Sequence, residues 1–289
     1  MIASKSYFQI LLLCLLPFSL FGQQGEQIPL YETKQDSTAP SLFVHLAKDN
    51  KNGASVIIIP GGGYAVLAID HEGNQIANWF NERGVNAFIL QYTLGKFDGT
   101  GGKHPDMLND AKRAIRLIRN NAKKWRLNKN HIGVMGFSAG GHLAATLSTH
   151  FDDGDKTSTD LIERESSLPN FCILAYPVIS MESEYTHWGS RRFLLGPTPS
   201  SELVHDLSNE HQVSGITPPT FIFHTSDDKV VPVQNSVHYY LALRKYGIPA
   251  EMHIFEHGNH GIGLVTEDPT LKQWSALLED WLKRWKVIK

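Results

Sequence analysis

Apolar positions along this chain recur with two different periods. Residues 54–59 (Ala-Ser-Val-Ile-Ile-Ile) form a continuous, mostly β-branched run, the pattern of a strand buried on both faces. Residues 85–92, 131–135, 171–176, 221–224 and 251–255 predict further strands, and residues 42–46 predict an extended run within an approach segment spanning 23–52. Between these runs the spacing lengthens to that of a helix. Ile76, Trp79 and Phe80 share one face of a segment over residues 73–83, which Gly84 stops. Met107, Ala111, Ile115 and Ile118 line a helix predicted from Pro105 to about Trp125. Helices are also expected over residues 139–150 and 233–246, and in a last amphipathic stretch carrying Leu271, Trp274, Leu278, Trp281, Leu282 and Trp285. Strands alternating with helices predict an α/β fold, a mostly parallel central sheet covered by helices on both faces.

Two stretches break the alternation. Residues 151–169 are polar and acidic, the composition of a solvated surface loop. Residues 177–219 lack strong periodicity, and an irregular segment of that length predicts a functional loop or small cap. No repeat or linker divides the rest, so residues 23–289 are expected to form one catalytic domain. A chain of 289 residues is long enough to bury a substantial core. Its formal charge of -2 gives no reason to expect nucleic acid or an anionic membrane surface as partner. The 14 histidines lack a metal-site spacing such as His-Glu-x-x-His, so no metal is expected.

Residues 1–22 are set apart. Lys5 is followed by an apolar stretch opening at residues 10–16 and running past Pro17 to Phe21, then by Gly22 and a polar segment. This is the pattern of a secretory signal peptide cleaved after Gly22. The apolar run falls short of the roughly 20 residues that span a bilayer, so no membrane association is expected after cleavage. Loss of Cys14 with the leader would leave Cys172 alone in an apolar run, a buried small hydrophobe without a disulfide partner. The expected location is periplasmic or extracellular.

The candidate chemistry centres on Gly136-Phe137-Ser138-Ala139-Gly140, between a strand-like and a helix-like run. Gly-x-Ser-x-Gly in that context is the nucleophile elbow of an α/β-hydrolase. The turn forces strained backbone angles on the serine, and a Cβ two residues to either side would collide where strand and helix converge. A serine nucleophile needs a base, a carboxylate to orient the base and donors for the oxyanion. In this fold the order is Ser, Asp or Glu, His. Asp228, in Asp227-Asp228-Lys229-Val230-Val231-Pro232, is favoured over Asp227 as the carboxylate. His260, in Asn259-His260-Gly261-Ile262-Gly263, is favoured over His257 as the base. Pro60-Gly61-Gly62-Gly63 can present backbone N–H groups, with that of Ala139, as an oxyanion hole. It is no phosphate loop, since Gly-x-x-x-x-Gly-Lys-Ser/Thr is absent.

These motifs, with Tyr64, His71-Glu72-Gly73, His142 and Tyr176-Pro177-Val178-Ile179-Ser180-Met181, resemble secreted bacterial α/β-hydrolases related to acetyl xylan and feruloyl esterases of the Bacteroidetes type. The resemblance implies an esterase removing acyl groups, often acetyl, from plant or algal polysaccharide, with Ser138, Asp228 and His260 as triad and no cofactor. The Gly-rich loop is more distantly similar to the His-Gly-Gly-Gly motif of hormone-sensitive-lipase-like esterases, which implies Gly62, Gly63 and Ala139 as oxyanion donors. Which glycine N–H faces the oxyanion is left open by Pro60, which stands where that motif has histidine. Tyr64 and Glu72 join the expected substrate contacts, although Glu72 could instead serve a helix N-terminus and His142 packing. Trp188 and Tyr185 could stack on sugar rings, and Arg191 or Arg192 could meet a uronate; Trp188 could equally pack the loop down. Two other readings are a small serine peptidase of the prolyl-oligopeptidase kind and a non-catalytic carbohydrate-binding protein on the same fold.

Overall fold

The computed structural model describes residues 25–32, 38–182, 184–264 and 267–289, so the expected leader lies outside the described residues. Among the described residues, eight strands form one sheet: β1 (Glu26–Pro29), β2 (Ser41–His45), β3 (Ser55–Ile59), β4 (Asn86–Gln91), β5 (Ile132–Phe137), β6 (Cys172–Ala175), β7 (Thr220–Thr225) and β8 (Ala250–Phe255). Their order across the sheet is β1-β2-β4-β3-β5-β6-β7-β8. The β1–β2 and β2–β4 pairs are antiparallel, and every later pair is parallel. From β3 the chain winds outward to β4 and then returns to place β5 on the other side. That reversal opens a crevice beyond the carboxyl ends of β3 and β5, where open α/β sheets take their ligands.

Among the described residues, seven α-helices accompany the sheet: α1 (Gln75–Glu82), α2 (Asp106–Asn120), α3 (Ser138–Thr149), α4 (Trp188–Leu195), α5 (Ser201–Asp206), α6 (Gln234–Lys245) and α7 (Gln273–Arg284). Alternate residues of β3 show how both faces are covered. Ile57 and Ile59 belong to one buried cluster that also takes in Ile115 of α2, Leu143 of α3 and Tyr239 of α6. Val56 and Ile58 belong to the cluster on the other face, which also takes in Phe80 of α1 and, over β7, Trp274 and Trp281 of α7. Burying each such side chain contributes about 1.5–3 kcal/mol, so the continuous apolar runs are what hold the parallel strands between two helical layers. Cys172 lies in this interior, and burial pushes its thiol up to about 12.

Three elements differ from the sequence reading. The helix expected to reach Trp125 ends at Asn120; the Asn121 side chain folds back onto Leu117 O, and the Ala122 N–H bonds three residues back to Arg119 O as the chain leaves the α-helical path. The chain then turns through Arg126 at φ +54° and lays Trp125 against Phe88. The acidic stretch 151–169 is pinned rather than free: Arg113 donates to Asp160 at 2.6 Å and to Glu163 at 2.7 Å, and Arg116 donates to Glu163 at 2.6 Å. The irregular segment 177–219 holds α4, α5 and a single 3-10 turn at Asn209–His211. Met181, Leu194, Val204 and Leu207 seat it in the core cluster that includes α3.

Candidate active site

Ser138 follows β5 directly and has φ +50°, the left-handed region that L side chains rarely adopt. The flanking glycines make the turn possible. A Cβ on Gly136 would stand 2.2 Å from Gly140 O, and one on Gly140 would stand 2.2 Å from Ile59 O. Ser138 Oγ lies 2.8 Å from His260 Nε2, and His260 Nδ1 lies 2.6 Å from Asp228 Oδ2. An ionised carboxylate only accepts, so the Nδ1 proton points at Asp228 and leaves Nε2 free to accept from the serine hydroxyl. Burial by itself would raise the Asp228 pKa. Hydrogen bonds from His224 and His260 and from the Val231 N–H outweigh it and hold the carboxyl well below the usual carboxylate range.

The competing pair lies elsewhere. Asp227 Oδ1 accepts from the Gly258 N–H at 2.8 Å, and Asp227 Oδ2 lies 3.2 Å from His257 Nδ1, both side chains being exposed. Asp227 therefore ties down the start of the loop that carries His260, while Asp228 meets the imidazole itself.

The Gly-rich loop is held from beneath. The Gly61 N–H donates to Glu72 Oε2 at 2.8 Å, so it is not available to an oxyanion. The N–H groups of Gly62 and Gly63 meet no acceptor among the described residues. Ala139, in the first turn of α3, has an N–H without an intrahelical partner. Gly62 takes φ +126° and Gly63 φ +66°, and a Cβ on Gly62 would stand 2.1 Å from Val66 O. Only glycine fits that turn.

Tyr64 and Glu72, both expected among the substrate contacts, are buried and bonded within the protein. Tyr64 is fully buried because its own φ of +65° turns the ring inward, where the hydroxyl meets His142 Nδ1 at 2.7 Å. Glu72 is 2 % exposed and accepts from both Gly61 and the Tyr176 hydroxyl, the latter at 2.9 Å. The Tyr176 oxygen accepts in turn from the Gly263 N–H at 3.0 Å, and the Tyr176 ring packs edge-on against His260 with centroids 5.1 Å apart. One carboxylate thus joins the Gly-rich loop to the loop bearing His260. In Glu72→Ala, kcat for ester hydrolysis is expected to fall on the order of 100-fold, the loss typical of a misplacement of about 1 Å. Glu72→Gln keeps an acceptor for Gly61 and can donate to Tyr176, so it should recover most of the rate. Steady-state kinetics on a nitrophenyl ester check this, and equal losses in both variants would contradict it.

His142, in the first turns of α3, is a buried joint between three segments. Its Nε2 donates to Leu207 O at 2.8 Å, which leaves Nδ1 to accept from Tyr64. Burial pushes its pKa down to about 3, so the fold holds it neutral while the unfolded chain titrates near 6.5. Between those values the unfolded state binds more protons, and stability falls as pH drops. The expected slope from this residue approaches about 1.4 kcal/mol per pH unit. Urea unfolding from pH 4 to 6 should show a shallower dependence in His142→Gln than in the wild type; an unchanged slope would contradict the assignment.

Comparisons with known proteins converge on one family. Residues 42–243 match the family model described as BD-FAE. The chain belongs to this family of α/β-hydrolase esterases. Among solved structures, this chain is similar to an acetyl ester-xyloside bifunctional hydrolase from Caldicellulosiruptor lactoaceticus. The two are 44 % identical with a TM-score of 0.87, over 92 % of this chain and 98 % of that one. It is 35 % identical over 269 residues to an acetylxylan esterase of Xylanibacter ruminicola, covering 87 % of this chain and 52 % of that protein. It is 40 % identical over 237 residues to endo-1,4-beta-xylanase B of Butyrivibrio fibrisolvens, covering 82 % of this chain and 36 % of that protein. The chain thus spans about half or less of the length of these two curated relatives.

At the start of α4 the chain exposes Trp188, 61 % accessible, with the Arg191 guanidinium 4.8 Å from its ring centroid. Of the aromatic and basic residues expected there, two are engaged elsewhere. Tyr185 stacks on His238, and Arg192 donates to Phe97 O at 2.9 Å. Glu182, His205 and His211 bring possible metal-ligating atoms within 4.8 Å of one another on the surface. The two imidazoles are stacked only 16° from parallel, with centroids 4.6 Å apart, and both contact the Glu182 carboxylate. Among the described residues, no helix is long and apolar enough to cross a membrane.

Proposed function

We propose that this chain, a carboxylic ester hydrolase by family, is a secreted serine esterase that removes acyl groups, acetyl foremost, from plant or algal polysaccharide or oligosaccharide. The observation that carries the chemistry is the Ser138–His260–Asp228 hydrogen-bond relay at the mouth of the crevice. Ser138 Oγ attacks the ester carbonyl while His260 Nε2 takes its proton. The oxyanion accepts hydrogen bonds from the N–H groups of Gly62, Gly63 and Ala139. His260 then gives the proton to the departing sugar oxygen, and an acyl-enzyme remains. Water, deprotonated by His260, attacks the acyl carbon, and the carboxylic acid leaves as Ser138 recovers its proton. Each oxyanion donor in such a site contributes about 2.7–4 kcal/mol to lowering the barrier.

Three observations support a carbohydrate substrate. The exposed Trp188 face offers a stacking surface, the Arg191 guanidinium lies beside it, and the similar proteins carry names referring to xylan and acetyl esters. The apolar leader pattern of residues 1–22 supports export. The test compares kcat/KM for acetylated xylo-oligosaccharides with that for nitrophenyl acetate and a long-chain nitrophenyl ester. A preference for the sugar acetate over the long-chain ester is expected. Efficient hydrolysis of the long-chain ester with no acetate release from any acetylated sugar would overturn the substrate assignment.

A further inference from the structure

His187 stands at the N-terminus of α4, immediately before the exposed Trp188. Its Nδ1 accepts from the Ser190 N–H at 3.3 Å, capping the helix, and lies 2.8 Å from Ser190 Oγ. A neutral imidazole that accepts at Nδ1 must carry its proton at Nε2. The cap therefore fixes both the tautomer and the ring position. The Nε2–H meets no acceptor among the described residues and is absent from the buried unpaired groups, so it reaches solvent.

The direction of the ring follows from Gly63. A Cβ built on Gly63 would meet one atom within 4 Å, His187 Cε1 at 3.9 Å. His187 thus faces the Gly-rich loop across open space. His260 is also close: burial, then the charge of His260, lowers the His187 pKa, so the ring stays neutral at pH 7. When His260 becomes an imidazolium during catalysis, its charge opposes protonation of His187 further. His187 therefore does not compete as a base. It is a fixed, neutral donor beside the two groups that handle the ester oxygens.

We propose that His187 selects the alcohol half of the ester, donating its Nε2–H to a sugar oxygen next to the scissile ester while the ring of that sugar lies toward Trp188. This rests on the carbohydrate reading above and names the residue that would enforce it. A small aryl ester has no neighbouring hydroxyl to offer and gains nothing from this donor.

Two substitutions separate the donor from the cap. Asparagine is a favoured N-cap, so His187→Asn keeps the bond to Ser190 but is too short to present a donor at the Nε2 position. Glutamine places its amide nitrogen near that position, so His187→Gln keeps the donor and loses the cap. In His187→Asn, kcat/KM for acetylated xylo-oligosaccharides should fall roughly tenfold, the size expected for one lost hydrogen bond, with nitrophenyl acetate within about twofold of wild type. His187→Gln should restore most of the sugar-ester rate. Nitrophenyl acetate turnover also reports that each variant is folded. Equal losses on both esters, no loss on either, or a sugar-specific loss that glutamine does not relieve would each overturn the assignment. Wild-type protein that hydrolyses nitrophenyl acetate but no sugar acetate would instead remove the carbohydrate reading, and this inference with it.

Discussion

Replacing Ser138 by alanine is expected to lower kcat for nitrophenyl acetate by at least about 10⁴-fold, toward the 10⁶-fold seen when a serine nucleophile of this type is removed. The fold should survive the change. Ser138 occupies its left-handed backbone conformation because Gly136 and Gly140 let strand and helix close around it, and an alanine fits the same space. What disappears is the hydroxyl oxygen placed 2.8 Å from His260 Nε2, the atom that would form the acyl-enzyme. Thermal unfolding within a few degrees of wild type, together with lost turnover, is the expected result. A variant retaining more than a few per cent of the wild-type rate would mean that the ester is attacked by some other group.

Asp228→Asn should cost about 10⁴-fold in kcat, the loss known for the equivalent change in a serine protease triad. Geometry supplies the reason. Asp228 Oδ1 accepts from the N–H groups of Val230 and Val231, both at 2.9 Å, while Oδ2 meets His260. An asparagine keeps its carbonyl oxygen on the two backbone donors, because its NH₂ group cannot accept from them. The NH₂ then faces His260 Nδ1 and forces that nitrogen to become an acceptor. The imidazole proton moves to Nε2, where it points at Ser138 and cannot take the serine proton. KM should change far less than kcat, because Asp228 touches no substrate. Steady-state kinetics at pH 7 check the split, and a loss confined to KM would contradict this role.

The parts of the site legible in the sequence are those set by local chain geometry. Gly136 and Gly140 stand two residues from Ser138 because neighbouring backbone leaves no room for a Cβ. The continuous β-branched runs mark the parallel strands, and the residues at their carboxyl ends come together in the crevice. Contacts between distant segments left no such trace. Glu72 binds Tyr176 across 104 positions of sequence, and nothing near Glu72 announces that its carboxylate faces inward. Tyr64, beside the Gly-rich loop, reads as a residue at the mouth, yet its φ of +65° swings the ring into the core. The short helices α4 and α5 carry mixed polar and apolar residues, so their pattern was too brief to register. His187 left one local signal: Ser190 follows three residues later, the spacing at which a capping side chain meets a backbone N–H.

On the proposed function, Ser138 releases acyl groups from a carbohydrate. The most direct test follows free acetate by NMR when wild type and Ser138→Ala are incubated with acetylated xylan. Acetate release by the wild type, with none above background in the variant, is the expected result. Release at equal rates by both proteins would contradict the mechanism, and absence of release by a wild type still active on nitrophenyl acetate would contradict acetylated xylan as its substrate.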